Sequence, residues 1–152
     1  MSQTIKEKVL EETKAAMKAQ DKERLMVLRL ISSEFKRVEV DERIVLDSTR
    51  ELAILDKMQK QRRDSIEQYK AANRNELAEK EQFEIDVIQS FKPEALSEAA
   101  VKDLVAAAIK ESSAASIQDM GKVMAILKPQ LQGRADMGQV SAIIKALLSG
   151  QP

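Results

Sequence analysis

Apolar residues recur along this chain at three- and four-residue intervals, the spacing of one face of an α-helix. Ile5, Val9, Leu10, Ala16 and Met17 predict a first helix. It opens near Thr4, where Thr4-Ile5-Lys6-Glu7 reads as a capping box. Asp21 predicts the N-cap of a second helix with a stripe of Leu25, Leu28, Ile31, Phe35 and Val38. Its Leu25–Ile31 segment is apolar almost all round, the pattern of a central helix covered on several sides. A loop at 41–47 follows, and Ser48-Thr49-Arg50-Glu51 reads as another capping box. The third helix then runs to about Ala72 with Leu52, Leu55, Met58, Ile66 and Tyr69 inward. Asn75 predicts the cap of a fourth, Glu76 to Ser90, carrying Leu77, Ile85 and Ile88.

Phe91-Lys92-Pro93 breaks this rhythm, because proline disfavours helix at the residue before it. Beyond it, Ser97 predicts the cap of a fifth helix (Val101, Leu104, Val105, Ala108 and Ile109 inward). Ser116 predicts a short sixth (Ile117, Met120, Val123, Met124, Leu127) stopped before Pro129. Asp136 predicts a seventh, with Gln139 at the capping-box position and Val140, Ile143, Ile144, Leu147 and Leu148 buried. Gly150-Gln151-Pro152 ends it. The expected fold is all-α: a four-helix N-terminal domain over residues 1–92, then a smaller three-helix C-terminal domain over 93–152.

Composition agrees with helices. Aromatic residues are only 3% of the chain, while Ala, Leu, Glu, Lys, Gln, Arg and Met dominate. Charge sharpens the boundary: residues up to Lys92 hold 19 basic and 19 acidic side chains, and those after it 6 and 6. Neither half is a broad basic surface, so nucleic-acid binding would need a local patch. With no cysteine and no histidine, disulfides, thiolate nucleophiles and Cys/His zinc sites are excluded. No apolar run approaches the ~20 residues of a membrane span. The chain is charged from Lys6 onward without a signal-peptide pattern, so the cytoplasm is the expected compartment.

Three of the four glycines, Gly121, Gly133 and Gly138, fall within residues 119–138, together with Lys122, Lys128 and Arg134. Helices starting at Ser116 and Asp136 would turn their amide ends toward this stretch, an arrangement that favours anions. The competing reading is a left-handed turn at Gly133, close helix packing at Gly121 and Gly138, and solvated cations. Asp119 and Asp136 would compete with any anion. Elsewhere, Lys57, Lys60, Arg62 and Arg63 read as a helix face paired with Asp56, Asp64 and Glu67 on the same helix. Glu79, Glu81, Glu84 and Asp86 read as surface charge, with no metal site, and the seven methionines mostly as core filler. Lys110, Ser112 and Ser113 resemble the parts of a serine amidase without its base or oxyanion hole. No catalytic residue and no cofactor site is read.

Several collinear stretches bear a family likeness: Gln59-Lys60-Gln61-Arg62-Arg63-Asp64-Ser65-Ile66-Glu67-Gln68-Tyr69, Leu77-Ala78-Glu79-Lys80-Glu81, Asp119-Met120-Gly121-Lys122-Val123-Met124 and Gly133-Arg134-Ala135-Asp136. With Ala15–Ala19 and Arg24–Arg29, the chain resembles the GatB/YqeY family. That resemblance implies a four-helix domain followed by one similar to the tail of the B subunit of tRNA-dependent amidotransferase, a tail that contacts tRNA. It also carries a label of glutamine-dependent carbon–nitrogen ligase, with no catalytic residues assigned to stand-alone members. The expected role is an adaptor for tRNA, or for a tRNA-bearing enzyme, acting through Lys122, Lys128, Arg134, Gly121, Gly133 and Gly138. The alternatives are a protein–protein interaction module without RNA contact, or an accessory subunit of such a ligase.

Overall fold

The computed structural model describes residues 3–150, which hold seven α-helices and no strand. They are α1 (Ile5–Ala19), α2 (Lys22–Glu42), α3 (Ser48–Ala71), α4 (Asn75–Gln89), α5 (Glu98–Ser112), α6 (Met120–Leu131) and α7 (Met137–Leu148). A single 3-10 turn, Ile117–Asp119, leads into α6. The chain separates into two units between Lys92 and Pro93. Gln151 and Pro152, read above as part of the end of the last helix, lie outside the described residues.

In the first unit α2 packs against α1, α3 and α4. Its Val27, Leu28, Ile31, Phe35 and Val38 meet Val9 and Ala16 of α1, Leu55 and Met58 of α3, and Val87 and Ile88 of α4 in one core. Phe91, after α4, closes that core. The second unit packs α5, α6 and α7 around Val101, Val105, Ala108, Val123, Leu127, Leu131, Val140 and Ile144.

Four caps sit where the residue types place them. The Thr4 hydroxyl accepts the Glu7 amide, Asp21 that of Arg24, Ser97 that of Ala100 and Asp136 that of Gln139. Others are displaced. Helix α2 runs on to Glu42, and Arg43 ends it in the left-handed region at φ 55°. Asp47, not Ser48, caps α3 by accepting the Arg50 amide at 2.8 Å. That one-residue shift carries Glu51 out of capping-box reach, and its carboxylate instead accepts the amides of Ile5 and Lys6 at the start of α1. Asn75 is the first residue of α4 rather than its cap, because Asn73 makes the turn at φ 58°.

Helix α6 passes through Pro129 instead of stopping before it. Leu127 and Leu131, both fully buried, hold the last turn down. Pro129 and Ala125, whose carbonyl loses its partner, lie on the exposed side, where solvent compensates. Helix α2 is covered on several sides as expected, yet its Leu25–Ile31 segment stays open on one, where Met26 is 57% exposed and Leu30 also faces out. Leu10 and Met17 of α1, Ile117, and Leu147 of α7 were expected inside and are exposed, so Met17 and Met26 are not core filler.

Candidate nucleic-acid interface

The stretch from Ser113 to Gly138 builds the connections of the second unit. Ser113 ends α5 in the left-handed region, at φ 57°. The chain then turns at Ser116, and Asp119 reaches back to accept the amides of Ala115 (2.9 Å) and Ser116 (3.3 Å). These bonds, with Lys122 next in line, hold the Asp119 carboxyl below the usual carboxylate range. Lys122 stands 3.8 Å from Asp119 with its side chain 71% exposed.

At the far end of α6, buried Gly133 turns the chain at φ 80°, so the left-handed turn read from sequence is present. Arg134 is folded back. Its Nε donates to the Glu94 carbonyl at 3.2 Å, and its own carbonyl accepts the Leu96 amide at 2.9 Å. Asp136 then accepts the amides of Gly138 (2.8 Å) and Gln139 (3.4 Å). A Cβ on Gly138 would sit 3.1 Å from Asp136 Oδ1, so this glycine serves the cap.

Gly121 differs. It is exposed, and nothing within 4 Å would meet a Cβ placed there. Neither Gly121 nor Gly138 is enclosed by helix contacts. Both lysines are exposed, but Lys122 and Lys128 are six residues apart, hence about 120° apart around α6. A single flat phosphate-binding face does not result. The amides of Ala115, Ser116, Gly138 and Gln139 are held by the carboxylates of Asp119 and Asp136, which sets negative charge at both helix starts expected to face an anion and leaves side-chain charge as the main attraction.

The other charged clusters behave differently from their sequence readings. Asp56 pairs with Lys92 at 2.6 Å, and Arg62 faces Glu84 of α4 at 3.7 Å, so the Lys57–Arg63 segment is not paired only within its own helix. Among Glu79, Glu81, Glu84 and Asp86, Glu84 is buried rather than solvated. Burial pushes its carboxyl up from the ordinary range. The Ser112 hydroxyl donates to the Ile109 carbonyl and Ser113 is a helix cap, so neither is aligned with a base. Glu84, Met26 and Phe83 come together between α2 and α4, a grouping their sequence positions did not suggest. The one available signal was the apolar belt of Leu25–Ile31.

Residues 6–148 match the family model described as Yqey-like protein. The chain belongs to the YqeY-like family. A curated relative from Pyrenophora tritici-repentis, "Altered inheritance of mitochondria protein 41, mitochondrial", is 28% identical over 124 residues, which is 80% of this chain and 68% of the relative. An uncharacterized protein of Schizosaccharomyces pombe is 32% identical over 93 residues, 61% of this chain and 72% of its own. Among the described residues of this YqeY-like chain, no helix is long and apolar enough to cross a membrane.

Proposed function

We propose that this YqeY-like protein is a cytoplasmic helical adaptor for tRNA, or for a tRNA-bearing enzyme. Residues 93–152 form the RNA-facing domain in this reading, and residues 1–92 a separate four-helix domain. Lys122 and Lys128 meet phosphates on different sides of α6, Arg134 meets one through the guanidinium nitrogens not given to Glu94, and Gly121 allows the backbone to approach. Gly133 and Gly138 contribute by shaping the turns that hold these cations.

The observation that carries the reading is Gly121, a helical glycine beside an exposed lysine, with no neighbour inside the protein that requires it. Membership of the YqeY-like family over residues 6–148 supports it. With carboxylates seated at both helix starts, binding in this reading is electrostatic and side-chain-based, so it falls with salt at a slope of about −2 to −3 for three phosphate contacts. Filter binding of tRNA at two salt concentrations tests this. Absence of binding at low salt, or binding untouched by Lys122→Ala with Arg134→Ala, overturns it. Fractionation tests the compartment, and recovery in the mitochondrial matrix would move the same role there. No amide-transfer chemistry is assigned to this chain, and glutaminase activity in the purified protein would contradict that.

A further inference from the structure

The first unit leaves one helix pair incompletely covered. Helix α2 spends Val27, Leu28 and Ile31 on the core and turns Met26 outward. Helix α4 presents Glu76, Glu79, Lys80, Phe83 and Glu84 at the spacing of a single helical face. Between them lies an open groove of about 570 Å³, with Met26 and the 37%-exposed Phe83 as its apolar walls. A shallower depression shares Lys22 and Met26 and continues along α2 past Leu30 to Ser33. From Lys22 to Ser33 the strip is roughly 16 Å long, three turns of helix.

Carboxylates outnumber cations in the lining of this groove, although the depression that extends it adds Arg29. Glu23, Glu76, Glu79 and Glu84 line it against Lys22 and Lys80. Glu84 is only 8% exposed, yet its carboxylate accepts no hydrogen bond from the described residues. Its ion-pair partner is Arg62, whose Nε lies at 3.7 Å, too far for a hydrogen bond, and Lys80 adds a weaker attraction. That Nε is itself a buried donor without an acceptor, while Arg62 Nη1 is taken by the Met58 carbonyl at 3.0 Å. Buried carboxylates in folded proteins are normally hydrogen-bonded. Glu84, which lines this open groove with no hydrogen-bond donor from the described residues, is complementary to an incoming ammonium or guanidinium group.

We propose that the α2–α4 groove docks an amphipathic helix of a protein partner. The helix sets an apolar side chain between Met26 and Phe83 and a lysine or arginine onto Glu84. Length favours a helix over a small molecule, because a three-turn strip with an apolar wall and charged rims is the geometry of helix-in-groove recognition. Excess carboxylate favours a basic helix over an acidic one. This surface belongs to residues 1–92 and is independent of the RNA-facing reading of residues 93–152.

The test titrates the full chain, with its methionine methyls labelled for NMR, against two synthetic two-heptad amphipathic peptides, one of leucine and lysine and one of leucine and glutamate. The leucine–lysine peptide is expected to shift the Met26 methyl and to bind at least about tenfold more tightly than its acidic counterpart. Glu84→Gln and Phe83→Ala are each expected to weaken it by about tenfold. Phe83 is partly exposed and Glu84→Gln is nearly isosteric, so both variants should keep the fold, which circular dichroism verifies. Equal binding of the two peptides, or binding indifferent to both substitutions, overturns the proposal. So does sedimentation showing a dimer that Met26→Ser dissolves, since the occupant would then be a second copy of this chain.

Discussion

The two units of this protein solve the same packing problem with different materials. The second encloses a core of aliphatic side chains with short helices, and its 60 residues carry 12 charges. The first carries 38 charges in 92 residues and takes some of them inside. Glu51 and Glu84 are buried there, with the uncharged Gln59, whereas the second unit buries one glutamine, Gln132, and no charged residue among those described. Gln59 donates to the Ile85 carbonyl (3.3 Å) and to Gln89 (3.1 Å), while accepting from Lys92 (2.7 Å). Those bonds tie α3 to α4 and to the residues just after it. Long helices with this charge density cannot keep every polar group on the surface, and each buried one then needs a particular partner. Aliphatic packing alone is less selective about which face meets which.

The largest expected effect tests whether the units are separable. Phe35→Ala should destabilise the first unit by about 3–5 kcal/mol. In hydrogen exchange the amides of α1–α4 should lose protection while those of α5–α7 keep theirs. Equal loss in both would mean that they unfold as one. Next in size is Gly133→Ala, which places a Cβ at φ 80° and should destabilise the second unit by about 1–2 kcal/mol. Gly121→Ala should do the opposite, stabilising that unit by about 0.5–1 kcal/mol in a urea titration while weakening tRNA binding. Unchanged binding would remove the functional reason for this glycine.

The smallest effect concerns pH. Burial raises the Glu51 carboxyl above 4.5, against the pull of the two amides it accepts. A raised acid favours the folded state most below 4.5, and that contribution is lost as pH climbs through the folded value. Glu51→Gln should therefore flatten this decline in the first unit. Asp119, lowered in the second unit, acts with the other sign: its contribution is present above 3.8 and lost as pH falls through the depressed value. Denaturation of Glu51→Gln and Asp119→Asn across the acid range checks both directions.

Much of the fold was legible because the helices are amphipathic: Val9, Leu28, Phe35, Leu55, Val105, Val140 and Ile144 are buried as their spacing predicts. The errors arose where local signals were degenerate. Asp47 and Ser48 are equally good caps, and the choice depends on Glu51 being needed by α1, 45 residues away. Pro129 argues for a stop, but the burial of Leu127 and Leu131 overrides it. For the candidate interface, the glycines and cations were visible as a cluster. The folding of Arg134 onto Glu94, 40 residues earlier, was not. Glu84 looked like its acidic neighbours, because only the position of Arg62 on another helix sets it apart.

The carboxylate of Glu51 also imposes an order in time. When Ile5 and Lys6 leave the ribosome, the group that will hold their amides follows 45 residues behind along the chain. Short isolated helices are marginal in water, so α1 remains a fluctuating turn until the start of α3 has emerged. The first helix of the chain is therefore not the first to become permanent. A stalled nascent chain ending before Glu51 would expose it to protease.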